Sequence, residues 1–122
     1  MSRSRGGVSL TMDGTFTEGA TMAQETIEMV RFTVRPGAEE ALVSERPAMV
    51  EAVRAEFPGM LSARLAKLDE TKWLELLVWT SREAAQGATE KAHDIPAVAA
   101  WLSHIAEVIG IERADVIVAE GR

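Results

Sequence analysis

The chain contains no cysteine, which excludes disulfide staples, thiolate metal sites and Cys nucleophiles, and leaves the redox compartment open. No stretch approaches the roughly 20 apolar residues that a bilayer crossing requires, and the N-terminus lacks the apolar core of a signal peptide. The expectation is a cytoplasmic protein with no membrane partner. Positive charge is in deficit: 13 Lys and Arg against 19 Asp and Glu leave a net charge of -6. Such a surface repels phosphate backbones, and without a local basic patch nucleic acid is excluded as a partner. A Gly-rich phosphate loop, a Gly-x-Ser-x-Gly elbow and a paired-His motif are all missing, so nucleotide use, serine hydrolysis and zinc catalysis have no support. Aromatic residues are scarce at 5%, yet Trp73, Trp79 and Trp101 make up half of them.

What is present fits one folded domain. The 122 residues, 47% hydrophobic and 26% charged, match the size and composition of a single globular core. Residues 1–24 are rich in Ser, Thr, Gly and Arg and poor in large apolar side chains, which predicts a flexible N-terminal arm before a domain over residues 25–122. No internal repeat is visible.

From residue 27 the pattern is regular. Residues 27–34 alternate, with Val30, Phe32 and Val34 on one face and Met29, Arg31 and Thr33 on the other, which is strand periodicity. Pro36-Gly37 breaks it. Leu42, Val43, Met49, Val50, Val53 and Phe57 then recur at helical spacing, with Pro47 expected to kink that helix or mark a restart after Ser44. The helix's charges, Glu39, Glu40, Glu45, Arg46, Glu51 and Arg54, fit a solvated face. Residues 60–68 predict a second strand, residues 69–72 a hairpin loop and residues 73–79 a third strand. That third strand is apolar on both faces except at Glu75, as for a strand covered on both sides. A capping box at Thr80 and Glu83 opens a second helical region, which breaks at residues 93–96. It resumes with Val98, Trp101, Leu102, Ile105 and Val108 on one face and Gly110 at its C-terminal cap. Residues 115–119 form a short β-branched run, predicting the fourth strand.

The order strand, helix, strand, strand, helix, strand is the ferredoxin-like βαββαβ arrangement, an α+β fold with one antiparallel sheet and its helices on one face. Because the third strand is apolar on both faces, something must cover the side away from the helices. A second copy of the same sheet is the simplest cover, so a homodimer is expected.

Residues 34–37, Val-Arg-Pro-Gly, residues 57–59, Phe-Pro-Gly, and residues 78–84, Val-Trp-Thr-Ser-Arg-Glu-Ala, resemble the antibiotic biosynthesis monooxygenase family of dimeric α+β barrels, over residues 25–119. The resemblance implies a pocket between sheet and helices. It also implies oxygenation of an aromatic, polyketide-like small molecule without metal, flavin or haem, the substrate's own electron-rich ring reducing oxygen. In quinone-forming members an Asn stands four residues before the Trp that aligns with Trp79; here that position is Glu75. Haem-degrading relatives use an Asn, a Trp and a His at positions held here by Val30, Ala88 and Val98, which ranks haem degradation below the cofactor-free reading.

Glu75 is the leading catalytic candidate. It shares a strand face with Trp73, Leu77 and Trp79, and a carboxylate desolvated between indoles suits a general base for a phenolic or enolic proton. A cross-strand ion pair with Arg31 is the plainer reading. Trp79, as flat wall or as core, stands with Glu75 in the catalytic pair and with Phe32, His93 and Trp101 in the candidate substrate-binding set. Trp101 fits core packing as well, His93 an exposed turn, His104 a structural place on the helix boundary, and Trp73 a place at the dimer seam. No metal ligands at suitable spacing accompany the two histidines. Two further functions fit the same residues: a non-oxidative polyketide cyclase or isomerase, and a non-catalytic small-ligand-binding or stress-response α+β barrel.

Overall fold

The computed structural model describes residues 24–121. The arm expected over residues 1–24 lies, apart from Gln24, outside the described residues. Strand β1, Thr26–Val34, is antiparallel to two neighbours at once, as its β-branched and apolar content favours. Pro36-Gly37 then turns the chain, with Gly37 at a φ of 81° that an L side chain rarely adopts. Helix α1, Glu39–Glu56, carries two glutamates in its first turn and Arg54 in its last, both favourable to the helix dipole. It runs through Pro47 as one element and buries Leu42, Met49 and Val53.

Strands β2, Met60–Lys67, and β3, Lys72–Trp79, form the expected hairpin. Its loop is fixed by the Asp69 carboxylate, which accepts from the amides of Thr71 at 2.9 Å and Lys72 at 2.8 Å. Those two amides favour the ionised form and hold Asp69 below its ordinary carboxylate range. Gly59 lets the turn before β2 approach the start of the next helix: the Thr80 amide donates to its carbonyl at 2.8 Å. A Cβ there would stand 2.9 Å from Thr80 Oγ1 and 3.0 Å from the Ala84 Cβ.

Helix α2, Arg82–Lys91, is capped by Ser81, whose Oγ accepts from the Ala84 amide at 3.1 Å. The cap falls one residue later than the Thr80 box predicts, because Thr80 is still tied to Gly59. A 3-10 turn, Ala92–Asp94, occupies the predicted break. Helix α3, Pro96–Leu102, starts with proline at its first position and follows Ile95, which offers no side-chain cap.

Strand β4, Ile105–Asp115, corrects the reading of the C-terminal region. The helix stops at Leu102, Gly110 lies inside a strand, and residues 115–119 do not form the fourth strand. The cause is visible in the register. Val34 pairs with Ile105, Thr33 with Glu107, Phe32 with Val108, Arg31 with Gly110 and Val30 with Ile111. Ala106 and Ile109 are extra residues in two bulges, so the inward residues Ile105, Val108 and Ile111 recur every third position and imitate a helical stripe.

The sheet order is β2-β3-β1-β4, antiparallel throughout. All helices lie on one face, over a core that includes Phe32, Leu42, Trp73, Trp79 and Trp101. Trp73 faces this helix-covered side, opposite Phe32, and is 7% exposed. On the other face Ile27, Met29, Leu74, Leu76 and Val78 are only half-buried.

Candidate active site

Between the sheet and the helices lies a cavity of about 270 Å3. Its floor is Glu28, Val30 and Phe32 from β1 with Glu75, Leu77 and Trp79 from β3, placed together because 28 pairs with 77 and 30 with 75 on one face. Met49 and Val53 of α1 form one wall, and Val98 and Trp101 of α3 another. Ala88, Thr89, Ala92 and His93 close a third side, and Ile105, Val108 and Ile111 of β4 the fourth. The lining is apolar except for two carboxylates, one hydroxyl and one imidazole.

The structure brings all five sequence-predicted residues to this cavity. Phe32 and Trp101 are buried and meet edge to face, with ring centroids 6.0 Å apart. The Trp101 indole donates to the Leu42 carbonyl at 2.7 Å, which fixes α3 against α1. Trp79 is 2% exposed and lines the cavity at the end of β3. His93 stands at the mouth, 61% exposed and 3.4 Å from the Asp94 carboxylate.

Glu75 is 6% exposed. Its partner is Arg46 of α1, which donates to Oε2, and not Arg31. Strand parity explains the correction. Arg31 lies opposite Leu74 on the uncovered face and pairs there with Glu112 at 2.9 Å. Glu75 lies opposite Val30 on the covered face. Burial pushes the Glu75 carboxyl above its ordinary value of 4.5, against the opposing pull of Arg46 and with a further push from the Glu28 charge. Among the described residues Glu75 Oε1 has no hydrogen-bond partner, so the carboxyl keeps one oxygen for an incoming donor.

Two residues of the site escape the sequence reading. Arg46 stands four residues after Leu42 and three before Met49, on the buried stripe of α1 and not on its solvated face. Its guanidinium lies over the Trp101 ring, 6.0 Å from the centroid. Glu28 is 3% exposed and accepts from the Trp79 indole at 3.2 Å and from Arg113 Nε at 3.0 Å. Thr89 Oγ1 lies 3.0 Å from the same carboxylate and accepts from Arg113 Nη2 at 2.8 Å. Extending the first strand's alternation two residues back from Val30 would have placed Glu28 on the apolar face. His104, expected on a helix, follows α3 and pairs with Glu45 at 2.9 Å outside the cavity. Among the described residues, no three or more His, Asp or Glu side chains converge as a metal site, and no helix is long and apolar enough to cross a membrane.

A protein-family comparison matches the antibiotic biosynthesis monooxygenase family over residues 26–104. No curated protein sequence matches the chain. Among solved structures, the cofactor-independent oxygenase SnoaB of Streptomyces nogalater, as its N63A mutant, is similar at 21% identity and a TM-score of 0.57. That likeness covers 81% of this chain and 97% of SnoaB. NE2512 of Nitrosomonas europaea, a protein of unknown function, is similar at 16% identity and a TM-score of 0.61, over 84% of this chain and 98% of that one. MupZ of Pseudomonas fluorescens is similar at 19% identity and a TM-score of 0.56, over 74% and 70%. At these identities the likeness is one of fold.

Proposed function

The chain belongs to the antibiotic biosynthesis monooxygenase family, and on that premise we propose that it is a cofactor-independent monooxygenase acting on an aromatic, polyketide-like small molecule, with Glu75 as general base. The observation that carries this reading is a buried carboxyl with one oxygen unpartnered among the described residues, raised above its ordinary value by burial, on the floor of an apolar cavity. A carboxylate whose carboxyl is raised in this way is a stronger base than an ordinary one. The fold shared with SnoaB, a cofactor-independent oxygenase, supports the choice of reaction.

Phe32, Trp79 and Trp101 give flat apolar surface for a planar ring. Glu75 takes the proton of a phenol, or of an activated methylene beside the ring. The resulting electron-rich anion passes one electron to O2, and the two radicals combine into a C–O bond as a peroxide. Protonation and loss of water leave a carbonyl, so CH2 plus O2 becomes C=O plus H2O. One oxygen atom enters the product and the other leaves as water. The substrate supplies every electron, and Glu75 moves the proton in and out.

The protein acts in this reading as a homodimer, a second copy covering Ile27, Met29, Leu74, Leu76 and Val78. Those side chains form a contiguous apolar patch with no covering element among the described residues, which a matching patch would remove from water.

The test is oxygen consumption with a panel of phenolic and anthrone-like compounds, using protein stripped of metal and flavin. Oxygen uptake with quinone formation, lost on Glu75→Gln, is the expected result. Product formation under anaerobic conditions would replace this reading by a cyclase or isomerase that uses Glu75 for proton transfer alone. Binding without turnover would leave a ligand-binding module.

A further inference from the structure

Glu75 stands between two fixed charges of opposite sign. From α1, Arg46 holds Oε2 and is itself only 13% exposed, lying over the anchored Trp101 ring. From β1, Glu28 is the diagonal cross-strand neighbour, since Glu28 pairs with Leu77 and Glu75 with Val30; such positions lie about 7–8 Å apart. Glu28 is locked by the Trp79 indole and by Arg113. Neither charge can swing away from Glu75 without breaking buried contacts.

We propose that Arg46 and Glu28 are positioning residues that set the protonation of Glu75 from opposite sides. Arg46 aims the carboxylate and tolerates its charge, while Glu28 keeps the free oxygen basic. Without Arg46, burial would push the carboxyl further up and favour its protonated form, which cannot accept a proton. Without Glu28, the pull of Arg46 would be opposed by burial alone, and the carboxylate would be a weaker base. The other elements around Glu75 add little that competes. β2 places Leu65 opposite it, with Lys67 farther along over the Trp73 ring. β4 contributes Arg113, already engaged on Glu28, and the 3-10 turn contributes His93 at the mouth. The pair also separates roles: two carboxylates share the cavity floor, but among the described residues only Glu75 keeps an oxygen free.

The assignment rests on Glu75 being the base of the proposed reaction, and its test is chosen to be readable without that reaction. The full chain is labelled with 13C at glutamate carboxyls, and the Glu75 signal, assigned by its loss in Glu75→Gln, is titrated without ligand. Arg46→Met should move the midpoint to higher pH, Arg46→Lys should return it toward the native value, and Glu28→Gln should move it to lower pH. The acid limb of the oxygen-uptake profile should shift in the same directions. A midpoint unmoved by Glu28→Gln, or moved the same way by both charge removals, overturns the proposal. If Arg46→Met does not fold, Glu28→Gln and Arg46→Lys still decide it. Opposed shifts in a protein that consumes no oxygen would strike the oxygenase reading alone; unmoved midpoints with intact uptake would strike only the positioning roles.

Discussion

On the helix side of β3, Trp73, Glu75, Leu77 and Trp79 meet α1, α2 and α3; on the other side, Leu74, Leu76 and Val78 meet no helix among the described residues and are only half-buried. Each face also carries an Arg–Glu pair. Arg46 and Glu75 are 13% and 8% exposed at their side chains, whereas Arg31 and Glu112 are 44% and 62% exposed. The same two chemical groups therefore do different things according to which side of one strand they occupy. In water the pair is screened and each partner is solvated alone. Under the helices, desolvation makes each charge depend on the other and moves the carboxyl's titration.

The largest effect that would sharpen this contrast is on the reaction. Glu75→Gln should lower kcat/KM for the phenolic substrate by about 100- to 10,000-fold, the usual worth of a general base, with the fold intact by circular dichroism. On stability, Arg46→Met should cost about 1–3 kcal/mol in urea unfolding, because it leaves the buried Glu75 carboxyl without its hydrogen-bond donor. Leu76→Glu addresses the other face: if the proposed homodimer forms there, the variant should sediment as a folded monomer where the native chain sediments as a dimer, and a dimer that persists would remove that face as the seam.

A smaller, directional effect concerns pH. Because the folded-state value of Glu75 is raised above the unfolded one, its contribution to stability is fully present below the ordinary carboxylate range. That contribution is lost as pH rises through the raised value. Melting temperature should therefore fall over that window in the native protein, and Glu75→Gln should flatten this fall. The smallest effect is expected from Arg31→Ala, which should change stability by no more than about 1 kcal/mol, as for other exposed pairs. A loss as large as that of Arg46→Met would break the comparison.

Local pattern carried the β1 alternation, the Pro36-Gly37 turn, the Asp69 hairpin and the break before Pro96, because each is decided by residues within a few positions. It also carried the face shared by Glu75 and Trp79, since strand parity is local. What it could not carry is pairing between distant segments. Arg31 and Arg46 are equally charged in the sequence, and only the sheet register and the roll of α1 decide which reaches Glu75. Glu28 hid for a related reason: its partners, Thr89 and Arg113, are 61 and 85 residues away. In β4, nine β1 positions are matched by eleven residues, and pairing overrode a spacing that locally fits a helix.

Those two bulges have an evolutionary corollary. In an unbulged strand, losing one residue exchanges the inside and outside of everything beyond the loss. Deleting Ile109, however, would bring Val108 and Gly110 into regular succession opposite Phe32 and Arg31, leaving Ile105, Val108 and Ile111 all turned inward. β4 is thus a part of this fold where chain length can drift by single residues while the cavity wall it supplies stays the same.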